Sequence, residues 1–156
     1  MTEAQLQKLV KILQAEYQLN QNLLELGEKK QGAIINEEVE VLEEIVREEE
    51  GYLADLEKLE GARANLVQNK KMTDLIAEVG QPYREQLSKL RKRMFGVIEE
   101  LAYLNKTNEQ LLKDALYLTN INLNILTNNQ GKGTYNKRGA DADRQQGQTT
   151  VINQKA

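Results

Sequence analysis

The sequence predicts an all-α protein: an antiparallel bundle of three long helices plus one short helix, with a flexible C-terminal tail. Three observations predict it. There is one proline in 156 residues, charged residues make up 29% of the chain, and apolar residues recur every three or four positions through most of its length. That spacing places them on one side of a helix, and long helices joined by short corners bury such seams against their antiparallel neighbours.

The first helix is expected over about residues 2–31. Its seam is Leu6, Val10, Leu13, Tyr17, Asn20 and Leu24, widened by Leu9, Leu23 and Leu26, with Gly27 and Gly32 weakening its end and "GAIIN" as the corner. The second covers 36–69. Asn36 suits an N-cap because its side-chain oxygen can accept an orphan backbone N–H, and Glu37, Glu38 and Glu40 follow at the positive end of the helix dipole. Its seam runs through Leu42, Ile45, Tyr52, Leu56, Leu59 and Leu66, broken by Glu49 and Arg63. Gly51 and Gly61 read as places where another helix comes close. A short helix spans 74–79, capped by Thr73 and ended by Gly80. Pro82 then fits the first turn of the longest helix, 82–127, where a missing N–H costs nothing. The bundle is thus residues 1–127. Residues 128–156 are rich in Gly, Asn and Gln and too poor in large apolar residues to offset chain ordering, which predicts a polar, disordered tail.

One stretch challenges the helical reading. In LYLTNINLNIL, residues 116–126, Ile121, Leu123 and Ile125 alternate with asparagines, as in a half-buried strand. Nothing else in the chain offers a strand partner, and the helical register enters unbroken, so the reading is helix. At 100° per residue Leu111, Leu118, Ile121 and Ile125 lie on one side. Leu112, Leu116 and Leu123 lie nearly opposite, with Leu126 between. The end of the last helix is therefore apolar on two faces. It serves either homodimerisation or cover by the tail, or it forms a platform for an amphipathic helix of another protein.

Composition bounds the chemistry. With no His and no Cys the chain lacks the usual neutral-pH base, the thiolate nucleophile and the commonest zinc ligands. The closely spaced Glu37, Glu40, Glu43 and Glu44 read as a solvated face, because a di-metal bundle site would add histidine. No phosphate loop or nucleophile elbow occurs. The expectation is a non-enzymatic protein with no cofactor and no metal. No secretory signal is evident and no apolar run approaches a membrane span of roughly 20 residues, so no direct membrane insertion is expected. Residues 37–60 hold eleven acidic residues against two basic ones, while the net charge is −3; such a chain has no general affinity for nucleic acid. The basic run Arg91–Lys92–Arg93, with Arg84 and Lys89, is expected to pair with the acidic second helix. Asn20, Asn105, Asn108 and Asn122 lie in or beside the seams, where they either fix register or bond a partner.

At this point the residues resemble the flagellar export chaperone FlgN family. The resemblance covers about residues 1–127 and extends less firmly to the tail. "KKQGAIINEEVEVLEEIVREEEGYLADLEKLEGAR" is similar to the family's first corner and second helix, ending in Leu59, Glu60 and Arg63. "LNKTNEQLLKDALYL" is similar to its last helix, with Asn105, Asn108 and Leu111–Leu112. "TYNKRG" and "VINQKA" look like tail segments of Gram-positive members. The resemblance implies a cytoplasmic chaperone of the flagellar type III export system. It would bind amphipathic terminal helices of hook–filament junction (hook-associated) proteins and deliver them to the cytoplasmic domain of the export gate. Carried onto this chain, the client surface is Leu111, Leu112, Leu116, Leu118, Ile121, Leu123, Ile125 and Leu126, and Tyr135 is the gate-docking residue. The competing reading is a structural coiled-coil or adaptor protein using the same seams to oligomerise.

Overall fold

The structure, a computed structural model, describes residues 1–131, with side chains through Asn128. It holds four helices: α1 (Glu3–Ile35), α2 (Val39–Val67), α3 (Met72–Glu78) and α4 (Tyr83–Gly131). Among the described residues there is no strand, so the all-helical class expected from the seams is the class observed, and residues 116–126 are helix. The chain divides into two compact units, Met1–Asn108 and Glu109–Ala156.

In the first unit α1 is the helix that the others cover. Twelve of its residues are buried, against only Ile45 and Val67 on α2. It starts at a capping box, in which Thr2 Oγ1 accepts from the Gln5 N–H at 3.2 Å and Gln5 Oε1 accepts from the Thr2 N–H at 2.8 Å. Leu6, Leu9, Val10 and Leu13 then pack with Val67 of α2, Leu75 and Val79 around α3, and Leu87 of α4. A smaller cluster joins Leu26 and Ala33 to Ile45, with Leu42 and Tyr52 against it.

The two charges that interrupt the α2 seam are both claimed by α1. Lys30 Nζ donates to Glu49 at 2.9 Å, and Arg63 Nε donates to both carboxylate oxygens of Glu16, at 3.0 and 3.2 Å. As numbers rise on α1 they fall on α2, so these pairs define an antiparallel register. Glu16 is 4% exposed. Burial pushes its carboxyl above the ordinary value, the hydrogen bond and charge of Arg63 pull it back, and nearby Glu60 adds a further upward push.

Toward α4 the contacts run in the same direction on both helices. The Tyr83 hydroxyl donates to Glu3 at 3.5 Å, the Asn20 amide lies 3.5 Å from Met94 Sδ, and Asn108 Nδ2 donates to the Gly27 carbonyl at 2.8 Å. A Cβ on Gly27 would sit 2.8 Å from Leu104 Cδ2, so α4 approaches α1 closely at this glycine. Asn108 is 3% exposed and its Oδ1 finds no partner among the described residues. Asn20 and Asn108 therefore tie α1 to α4 rather than await a partner, whereas Asn105 and Asn122 are exposed. Asn108→Ala is expected to cost about 1 kcal/mol, since one hydrogen bond and one unsatisfied oxygen leave together. Asn108→Asp is expected to cost about 2–4 kcal/mol at neutral pH, because a carboxylate would face the Gly27 carbonyl. Urea unfolding of the two variants checks the ranking.

Several local expectations are corrected. The first helix does not stop near Gln31: it runs through Gly32 to Ile35, because Ala33 and Ile34 are buried and hold it to the core. Asn36 closes α1 instead of opening α2, its N–H bonding back to Gly32 and Ile34; the turn is made by Glu37 at φ 57°. Left-handed Gln68 and Asn69 turn the chain after α2. Thr73 lies inside α3, whose N-cap is Lys71. Gly51 and Gly61 are exposed with open space at the Cβ position, so no helix approaches them. Among the described residues Arg91, Lys92 and Arg93 form no ion pair with the acidic helix. Glu49 has taken Lys30 instead, and Arg84 caps α3 by donating to Ala77 and Val79 carbonyls at 2.8 and 3.0 Å.

Candidate functional site

The second unit contains the part of α4 that carries the client-surface residues of the sequence analysis. Charge ends abruptly there. Lys113 pairs with Glu109 at 3.0 Å and Gln110 donates to Asp114 at 3.0 Å, each one helical turn apart. From Ala115 to Gly131 no charged residue occurs, although the helix continues throughout.

The threonine hydroxyls in this stretch are also withdrawn. Thr119 Oγ1 donates to the Ala115 carbonyl at 2.9 Å and Thr127 Oγ1 to the Leu123 carbonyl at 2.8 Å. Bonding the carbonyl four residues back satisfies the hydroxyl within the helix. What remains on the surface is aliphatic side chain, tyrosine ring and asparagine amide. Leu118 is 60% exposed, Leu123 57%, Ile125 52% and Leu126 58%. Leu112 is exposed at its margin, while Leu111, Leu116 and Ile121 are half-buried. None of the eight is fully buried. Tyr117, 60% exposed in the same stretch, belongs to this surface as well, although the aliphatic pattern of the two faces does not single it out.

Such a surface offers no acid–base pair and no anion cradle. It suits recognition by burial of apolar area, with amides available for hydrogen bonds. Tyr135 lies outside the described residues. In the first unit, a cleft of about 520 Å³ opens between the start of α1 and the α2–α3 corner, lined by residues including Leu6, Val67, Lys70, Leu75 and Glu78. Lys70 and Glu78 pair with each other, which leaves it without a free charge from those two side chains. The glutamates of α2 do not gather, and among the described residues no cluster suited to a metal occurs. No helix among the described residues is long and apolar enough to cross a membrane.

Comparison with known proteins adds the family. The uncharacterized protein YvyG of Bacillus subtilis (strain 168) is 25% identical over 126 residues, covering 76% of this chain and 79% of that protein. No solved structure matches. The family model described as FlgN protein matches residues 1–142, nearly the whole chain. The chain belongs to the FlgN family, a family of flagellar export chaperones.

Proposed function

We propose that this protein is a cytoplasmic, non-enzymatic chaperone that shelters the amphipathic terminal helices of hook-associated flagellar proteins and delivers them to the export gate. The client helix lies along the uncharged end of α4, against Leu111, Leu112, Leu116, Leu118, Ile121, Leu123, Ile125 and Leu126. The observation that carries this reading is the seventeen-residue run without charge on a helix whose leucines and isoleucines stay half or more in solvent at Leu118, Leu123, Ile125 and Leu126. Covering those four would contribute on the order of 4–6 kcal/mol before the cost of ordering the client. Association and ordering offset that gain, so the remaining apolar residues of the surface must add to it. The small surplus keeps capture reversible, as a carrier that must release its cargo requires.

Co-purification of the full chain with a hook-associated protein, followed by light scattering, tests the reading. A complex of defined mass supports it. A protein that only self-associates through the same leucines supports the structural coiled-coil alternative. Delivery involves a second residue. Tyr135→Ala is expected to leave client affinity unchanged and to lower secretion of the client, measured in culture supernatants. Normal secretion would remove Tyr135 from the mechanism.

A further inference from the structure

A second apolar surface lies on the first unit, on different residues. Along α2, Val39 and Leu53 are 64% and 53% exposed, and Val46 between them is 38% exposed. They are seven residues apart, so they form one stripe, turned about 90° from the side that meets α1 through Ile45 and Arg63. Each is followed four residues later by a glutamate on the same face: Glu43, Glu50 and Glu57. All three glutamates are exposed, and among the described residues none has an ion-pair partner.

The first part of α4 carries the complement. Phe95 is 63% and Ile98 47% exposed. Arg91 lies four residues before Phe95 and seven before Ile98, on the same face, with Lys92 at its edge. Both cations are exposed and form no ion pair among the described residues; exposed Glu99, four residues after Phe95, is the one acid beside them, so the stripe stays net basic. Two stripes of matched apolar character and opposite charge thus coexist on one compact unit without satisfying each other.

The geometry points to a second copy of this chain as the occupant: the acidic α2 stripe of one molecule docks on the basic α4 stripe of another. Charge complementarity selects this pairing. An α2-to-α2 contact would set three glutamates against three glutamates, which like-charge repulsion disfavours. An α4-to-α4 contact would offer Arg91 and Lys92 a single carboxylate, Glu99, where the α2 stripe offers three. The stripes share no residue with the proposed client surface, Leu111–Leu126.

The test is a charge swap on the full chain, read as molar mass by sedimentation equilibrium against concentration. The wild type is expected to rise above the 17.8 kDa of one chain. Glu43→Lys with Glu50→Lys, and separately Arg91→Glu with Lys92→Glu, are each expected to weaken association by about tenfold or more. An equimolar mixture of the two variants regains it, as does one chain carrying all four changes. All substituted positions are exposed, and circular dichroism verifies the fold. A wild type that stays at the mass of one chain throughout overturns the inference. So do single-face variants that associate like the wild type, and so does association abolished only by Leu118→Glu with Ile125→Glu. The last outcome would instead favour the coiled-coil alternative for the end of α4.

Discussion

Replacing Arg63 by Met lowers the unfolding free energy by about 2–4 kcal/mol at neutral pH, and by much less near pH 4. Glu16 is buried against α2 and Arg63 is its ion-pair partner, 30% exposed at the side chain. Removing the cation leaves a carboxylate with little water and no counter-charge, which costs more than the pair itself contributes. The partial exposure of Arg63 places the loss below that of a fully enclosed pair.

The pH dependence has a definite sign. Burial is the largest influence on Glu16 and raises its pKa in the fold above the ordinary 4.5. A raised carboxyl contributes stability that is present below the unfolded pKa and is lost as pH rises through the folded one. Arg63 opposes that rise in the native protein. Without it the folded pKa climbs further, the penalty is largest at neutral pH, and protonation relieves it on acidification. Thermal melts of both proteins at about pH 7 and about pH 4 check this. An equal loss at both values would contradict the ion-pair account. Adding Glu16→Leu to the variant removes the stranded charge, and a substantial part of the stability returns.

The second large effect concerns binding. Leu118→Glu with Ile125→Glu weakens capture of a hook-associated terminal helix by about a hundredfold or more, while the far-ultraviolet spectrum stays helical. Both residues are more than half exposed, so the substitutions remove little from the fold. In a complex each introduced carboxylate must lose water without a partner, and each lost side chain forfeits apolar burial; together these reach about 3 kcal/mol. Titration of the purified chain with the client's terminal-helix peptide measures it. Unaltered affinity would remove this surface from client recognition.

The sequence shows the helices more clearly than their contacts. Leu6, Val10 and Leu13, and Ile45 with Leu42 and Tyr52, sit where their spacing places them, because a 3.6-residue period is a local property. The partners of Glu49 and Arg63 were not legible, since pairing with Lys30 and Glu16 depends on how α1 and α2 slide past one another. The glycines mislead for the same reason: Gly51 and Gly61 face open space, and Gly27, read as a weak helix end, is the close approach to Leu104. Asn36 has the right chemistry for an N-cap and serves the other helix, because buried Ala33 and Ile34 extend α1 by a turn. At the end of α4 the alternation of asparagine with isoleucine and leucine looked like strand, but only the continuous register of a long helix decides it. The withdrawn hydroxyls of Thr119 and Thr127, and the exposed ring of Tyr117, emerge only with coordinates.

Hydrogen exchange along α4 tests the central claim most directly. The full chain is followed with and without the purified client, and backbone protection is read peptide by peptide. Slowing concentrated in residues 111–126 on adding client is the expected result. Unchanged exchange there, with new protection confined to α1 or α2, would contradict it.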